Sequence, residues 1–155
     1  VSGVLILGEA PGPGGGHDIL AGRIGRLLCA AAGIPGYADL ARLARLENLL
    51  DCYPGSAWKG SAFPRDAARA AAVLRVPRMS GTVLLLGHRV AAAFGVRAAY
   101  FTWGRIGRAR AAVFPHPSGV NRWWNDRENR RLAAAFLREV LAQKKIDAAC
   151  RRSSL

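Results

Sequence analysis

One histidine held between two prolines is the first place in this sequence where chemistry can be sought: "VFPHPSGVNRWWNDRENRR", residues 113–131. Proline fixes φ and removes a backbone donor, and Gly119 permits a positive φ, so residues 115–119 cannot be helix interior. His116 therefore belongs to a stiff loop between the end of an apolar strand, "AAVF", and a helix. That helix begins near Asp126, where Asn125 and Glu128 make an N-cap pair of the capping-box type. An imidazole so placed is either a reacting group or a turn histidine that caps a neighbour. The second place is "GEAPGPGGGHD", residues 8–18, which sets Glu9 at a strand end. It is no phosphate cradle of the G-x-x-x-x-G-K-[ST] type, since no lysine follows. It is no dinucleotide fingerprint either, because Pro11 and Pro13 interrupt it. Cys29, Cys52 and Cys150 are scattered without C-x-x-C spacing, which predicts neither a disulfide framework nor a bound metal and fits a reducing cytoplasm.

These residues need elements to position them. "VLILG" (4–8) and "GTVLLLG" (81–87) are short continuous apolar runs, the pattern of strands buried on both faces. "RARAAVFP" (108–115) is a third strand, and "ENLLDCY" (47–53) is expected to be another, running into a "PGSAWKG" turn. Helices are expected over 19–33 (closed by Gly33 and Pro35), from 37 to about 45, over 64–76, across "HRVAAAFG", and over 126–145. Strands alternating with helices predict an α/β fold, a three-layer α/β/α sandwich with a central, mainly parallel sheet. Glu9, the end of "ENLLDCY" and His116 would then all follow strand carboxyl ends, the edge where open parallel sheets bind ligands.

The whole chain adds charge. Its 155 residues carry 23 Lys and Arg against 10 Asp and Glu, a formal net charge of +13, and 20 of the 23 cations are arginine. Arginine makes forked contacts to phosphate, so a polyanion, above all nucleic acid, is the expected partner. No apolar run approaches the roughly 20 residues of a membrane span, and "VSGVLILG" lacks the basic flank of a signal peptide. One domain over 1–150 with a basic tail at 151–155 is the expected organisation, working as a cytoplasmic monomer drawn to the nucleoid through DNA.

Three segments in fixed order resemble the uracil-DNA glycosylase superfamily: "GEAPG" (8–12), "ENLLDCYPG" (47–55) and "HPSGVNR" (116–122). The first two are similar to the thermostable iron–sulfur branch, the third to the histidine loops of the general and single-strand-selective branches. The resemblance implies a base flipped from double- or single-stranded DNA into a pocket at the sheet edge. His116 would stabilise charge on the departing base, and Asn48 would read its pyrimidine edge with one donor and one acceptor. Gly8, Ala10, Pro11, Gly12, Leu20 and Ser118 would line the base. Val120, Asn121 and Arg122 would stand where the superfamily wedges the duplex. Arg127, with Arg105, Arg108, Arg110, Arg130 and Arg131, would reach phosphates nearby. Trp123 and Trp124 either stack on a base or pack into the core.

The sequence also departs from the pattern. Ala10 replaces the Asp or Asn that positions water in other branches, so Glu9, or else His17 or Asp18, would activate water; a purely structural Glu9 is the other reading. Only Cys52 matches an iron–sulfur ligand position, so no cluster is expected and no cofactor. Leu20 replaces a stacking phenylalanine, which points to a 5-substituted or damaged pyrimidine as well as uracil. Two rivals remain: a catalytically weak or inactive DNA-binding module of the same fold, and a nucleotide or nucleoside hydrolase, whose small substrate would not call for such charge.

Overall fold

The computed structural model describes residues 3–12, 23–53, 55, 63–118 and 121–152, the backbone alone at 23 and 144–152. Its five-stranded sheet has the order β2-β1-β3-β5-β4. The strands are β1 (Val4–Gly8), β2 (Ala44–Asn48), β3 (Thr82–Leu86), β4 (Trp103–Ile106) and β5 (Ala109–Phe114). The first three and β5 run parallel; β4 pairs antiparallel with β5 at the edge. Among the described residues the α-helices are α1 (Arg23–Ala32), α2 (Tyr37–Leu43), α3 (Arg65–Arg75), α4 (His88–Ala93) and α5 (Arg127–Arg152).

Alternation along the central strands divides the core. Val4, Ile6, Leu84, Leu86, Ala112 and Phe114 point to the side covered by α1, α2 and α5. Leu7, Val83, Leu85, Ala111 and Val113 point to the side covered by α3 and α4. Both faces of the sheet are thus covered by helices, which is why β1 and β3 can be apolar without a break. Each fully buried side chain such as Leu84 or Phe114 contributes about 1.5–3 kcal/mol from removal of apolar surface from water.

Four expectations need correction. The strand expected at 47–53 is Ala44–Asn48, in register with β1 from Val4↔Ala44 to Gly8↔Asn48. Leu40, Leu43, Leu46 and Leu49 carry a helix-like spacing that hides the strand, and pairing with β1 overrides it. The second correction is β4, which sequence reading missed. Ile106 opposes Ala109, so a two-residue Gly107-Arg108 turn closes a hairpin, with positive φ (56°) at Gly107. Third, the last helix begins one residue later than expected and runs to Arg152. Fourth, its cap is Asp126, not Asn125: Asp126 Oδ1 accepts from the backbone N–H of Glu128 (2.7 Å) and Asn129 (3.1 Å).

Candidate active site at the carboxyl edge of the sheet

Four parallel strands end along one edge, and each delivers a polar side chain or its support there. β2 ends on Asn48, which pairs with Gly8 of β1. The ladder continues one step further, the Leu50 N–H donating to the Glu9 carbonyl (3.0 Å). Beyond β3, Gly87 opens α4, whose first turn carries Arg89. Beyond β5 come Pro115 and His116. The order across the edge is therefore Asn48, Glu9, Arg89, His116. The point between β1 and β3, where chain connections turn to opposite sides, lies within it.

Among the described residues, Glu9 and Asn48 are the buried polar or charged ones, 8% and 9% exposed. Burial raises the Glu9 carboxyl above the ordinary carboxylate range, and the Arg89 guanidinium, 3.7 Å away, pulls it partly back. Arg89 also lies over the Phe63 ring, 5.6 Å from its centroid. The same two influences act on His116, this time together. Burial first, and Arg89 second, push the imidazole down to about 4. At neutral pH His116 is uncharged and can donate one N–H without bringing a cation.

Asn48 carries an unmet demand. Its Oδ1 is buried and has no hydrogen-bond partner among the described residues. Its backbone carbonyl is satisfied by Arg75 Nη2 at 2.8 Å, and Arg75 in turn pairs with Glu47. Most buried polar atoms find partners, so an orphaned one at a ligand-binding edge fits an acceptor held ready for a donor from outside.

The loop after β5 explains the two tryptophans. The His116 carbonyl accepts three hydrogen bonds: from Trp124 Nε1 (2.9 Å), from Asn121 Nδ2 (3.0 Å) and from the Ser118 N–H (2.9 Å). Both indoles are half-buried against the α1/α5 core, and Trp123 meets Tyr100 and Phe101. Packing, not open stacking, is what they do in this fold. On the other side, a Cβ at Gly87 (φ 90°) would lie 3.0 Å from the His116 Cβ, so only glycine lets the histidine come this close.

Of the expected site residues, Gly8, Glu9, Ala10, Pro11, Gly12, Asn48, His116 and Ser118 all fall at this edge. Leu20 and Val120 lie outside the described residues, as do His17 and Asp18. The Asn121 side chain is engaged within its own loop, whereas Arg122 and Arg127 are exposed beside it. Arg105, Arg108 and Arg110 are not nearby: the β4–β5 turn puts them at the opposite end of the sheet. Sequence reading missed Arg89, Gly87 and Phe63. The one available signal was position, since Gly87 and Arg89 directly follow the second apolar strand.

Cys29 is buried in the α1 core, its thiol pushed up chiefly by burial, while Cys52 is exposed after β2. Among the described residues no group of His, Cys, Asp or Glu could hold a metal ion. No described helix is long and apolar enough to cross a membrane.

A doubly wound α/β domain with a carboxylate, an amide and a neutral histidine along its carboxyl edge has the form of a ligand-binding α/β protein. Comparison narrows it: the family model of the uracil DNA glycosylase superfamily matches residues 2–141, and the chain belongs to that superfamily. DNA glycosylase action, with DNA as the partner, is the general activity that goes with it. No curated protein sequence matches the chain.

Proposed function

We propose that this protein is a monofunctional DNA glycosylase that flips a uracil-like, modified or damaged pyrimidine out of DNA and hydrolyses its N-glycosidic bond, leaving an abasic site. The observation that carries the reading is the orphaned Asn48 Oδ1, buried in the same row as Glu9 and His116. A pyrimidine with N3–H beside O4 offers that oxygen a donor, and the amide N–H₂ group can donate back to O4. As the C1′–N1 bond breaks, its electron pair passes into the base and charge grows on O2. Neutral His116 donates a hydrogen bond to it, an effect on the order of a hundredfold or more for comparable donors. Water adds to C1′, and its proton goes to Glu9, whose raised affinity for protons suits a general base. Ala10 leaves this task to Glu9. Arg122 and Arg127 hold the flanking DNA, and the enzyme works as a monomer in the cytoplasm on chromosomal DNA.

The test is a panel of oligonucleotides, single- and double-stranded, each with one altered pyrimidine, incubated with the protein and then cleaved with alkali at abasic sites. Strand breaks at one or more altered bases are expected. DNA binding with no break anywhere in the panel would instead favour an inactive binding module.

A further inference from the structure

Between Asp66 and Asp126 the chain has no acidic residue and nine arginines. The fold sends most of these to two places. Arg89 and Arg122 go to the carboxyl edge; Arg78, Arg105, Arg108 and Arg110 go to the amino edge. The pairing fixes the second group. Arg110 stands opposite Thr82 at the start of β3, and Arg105 stands directly across from Arg110 on β4. The Gly107-Arg108 turn abuts the short 3-10 turn Val76–Arg78, since a Cβ at Gly107 would lie 2.8 Å from the Val76 carbonyl oxygen.

This arrangement has no structural reason to be so basic. All four arginines are exposed, and among the described residues no ion pair joins a carboxylate to any of them. Like charges facing each other across two strands are unfavourable. The Arg110 guanidinium is nevertheless held over the Trp103 ring at 3.8 Å, and Arg105 Nη2 leans toward the Arg108 carbonyl at 3.5 Å. The charges are thus gathered in one place, and Arg110 is braced, with no described carboxylate to neutralise them.

We infer that the amino edge of the sheet is a second DNA-binding surface, gripping the phosphates of a duplex segment other than the one at the candidate active site. Forked guanidinium groups match phosphate oxygens, and partners of this superfamily are DNA, so charge complementarity selects the occupant. A duplex laid across the carboxyl edge, with its axis transverse to the strands, does not also reach the amino edge. Strand β5 and the two residues after it span the distance, roughly 20 Å from Ala109 to His116, and DNA is stiff over about 150 bp, so it does not curl around so thin a body. The protein would bridge two DNA segments, holding one while examining another. The inference rests on the DNA-binding part of the functional reading, not on base excision.

Sedimentation with excess unmodified duplex of about two helical turns, roughly 20 bp, counts the duplexes per protein at low salt. The wild-type protein should form a species of one protein and two duplexes. The triple variant Arg105→Ala/Arg108→Ala/Arg110→Ala should stop at one, with a salt slope lower by about one for each phosphate no longer gripped. Its excision of an altered base from a short duplex should stay within about twofold of wild type, because the patch touches no reacting atom. Arg78→Ala/Arg108→Ala, with both changes in turns outside the ladder, should weaken the second duplex in the same direction even if the triple variant fails to fold. A wild-type protein that never exceeds one duplex overturns the inference, as does a folded triple variant that still binds two. Loss of binding to anionic phosphatidylserine vesicles, with the duplex count unchanged, would assign the patch to lipid. Failure of excision in every protein would fault the glycosylase reading and leave the duplex count to be judged alone.

Discussion

Arg89 is the residue through which the site's charges speak to one another. It lies 3.7 Å from the Glu9 carboxylate and also disfavours a proton on His116. Replacing Arg89 with glutamine should therefore raise the His116 midpoint from about 4 toward the ordinary 6.5, read from the imidazole signals in an NMR titration. The sign for stability follows. His116 titrates lower in the folded chain than in the unfolded one, so its contribution is full above pH 6.5 and is lost as pH falls through about 4. The stability advantage of wild type over His116→Gln should shrink by roughly 3 kcal/mol between pH 7 and pH 4, measured by denaturant unfolding. Asn48 makes a separate prediction. A structural asparagine would destabilise the fold when replaced, but an orphaned buried oxygen costs free energy where it stands. Asn48→Leu should keep or raise the unfolding temperature while sharply lowering excision.

At the scale of elements, the strands that carry His116 and Glu9 were legible because burial on both faces leaves an unbroken apolar run. β1, β3 and β5 lie within a residue or two of where such runs predict them. β2 was misplaced because its leucines share a helical spacing with α2, and the strand forms only through its neighbour β1. β4 was hidden because "WGRI" is too short to show alternation, although the two-residue Gly-Arg turn after it was a usable sign. Position relative to strand ends made Glu9 and His116 legible; Arg89 reaches the site by tertiary placement of α4, which no local pattern encodes. The Trp124 bond to the His116 carbonyl is likewise invisible until the loop is folded. Gly87 links element to site. At φ 90° an alanine is strained, and its Cβ would press on His116 at 3.0 Å. Gly87→Ala should cost about 1–3 kcal/mol and lower the unfolding temperature by several degrees, with a loss of excision from the displaced histidine. Calorimetry and single-turnover kinetics check the two halves.

Over the whole molecule, the sheet separates two kinds of work. The carboxyl edge holds the row Asn48, Glu9, Arg89 and His116, while a formal charge of +13 over the whole chain provides attraction to DNA that is independent of base identity. Binding and chemistry should therefore come apart under mutation. In the proposed mechanism His116 meets charge that exists only as the base departs, which assigns it to the transition state and not to the encounter. The deciding measurement is single-turnover excision by His116→Ala, on the altered base that the wild-type protein removes, alongside its affinity for the same DNA. The rate should fall by at least about tenfold with affinity nearly unchanged. A His116→Ala protein that releases the base at the wild-type rate would contradict the assignment of this edge as the active site.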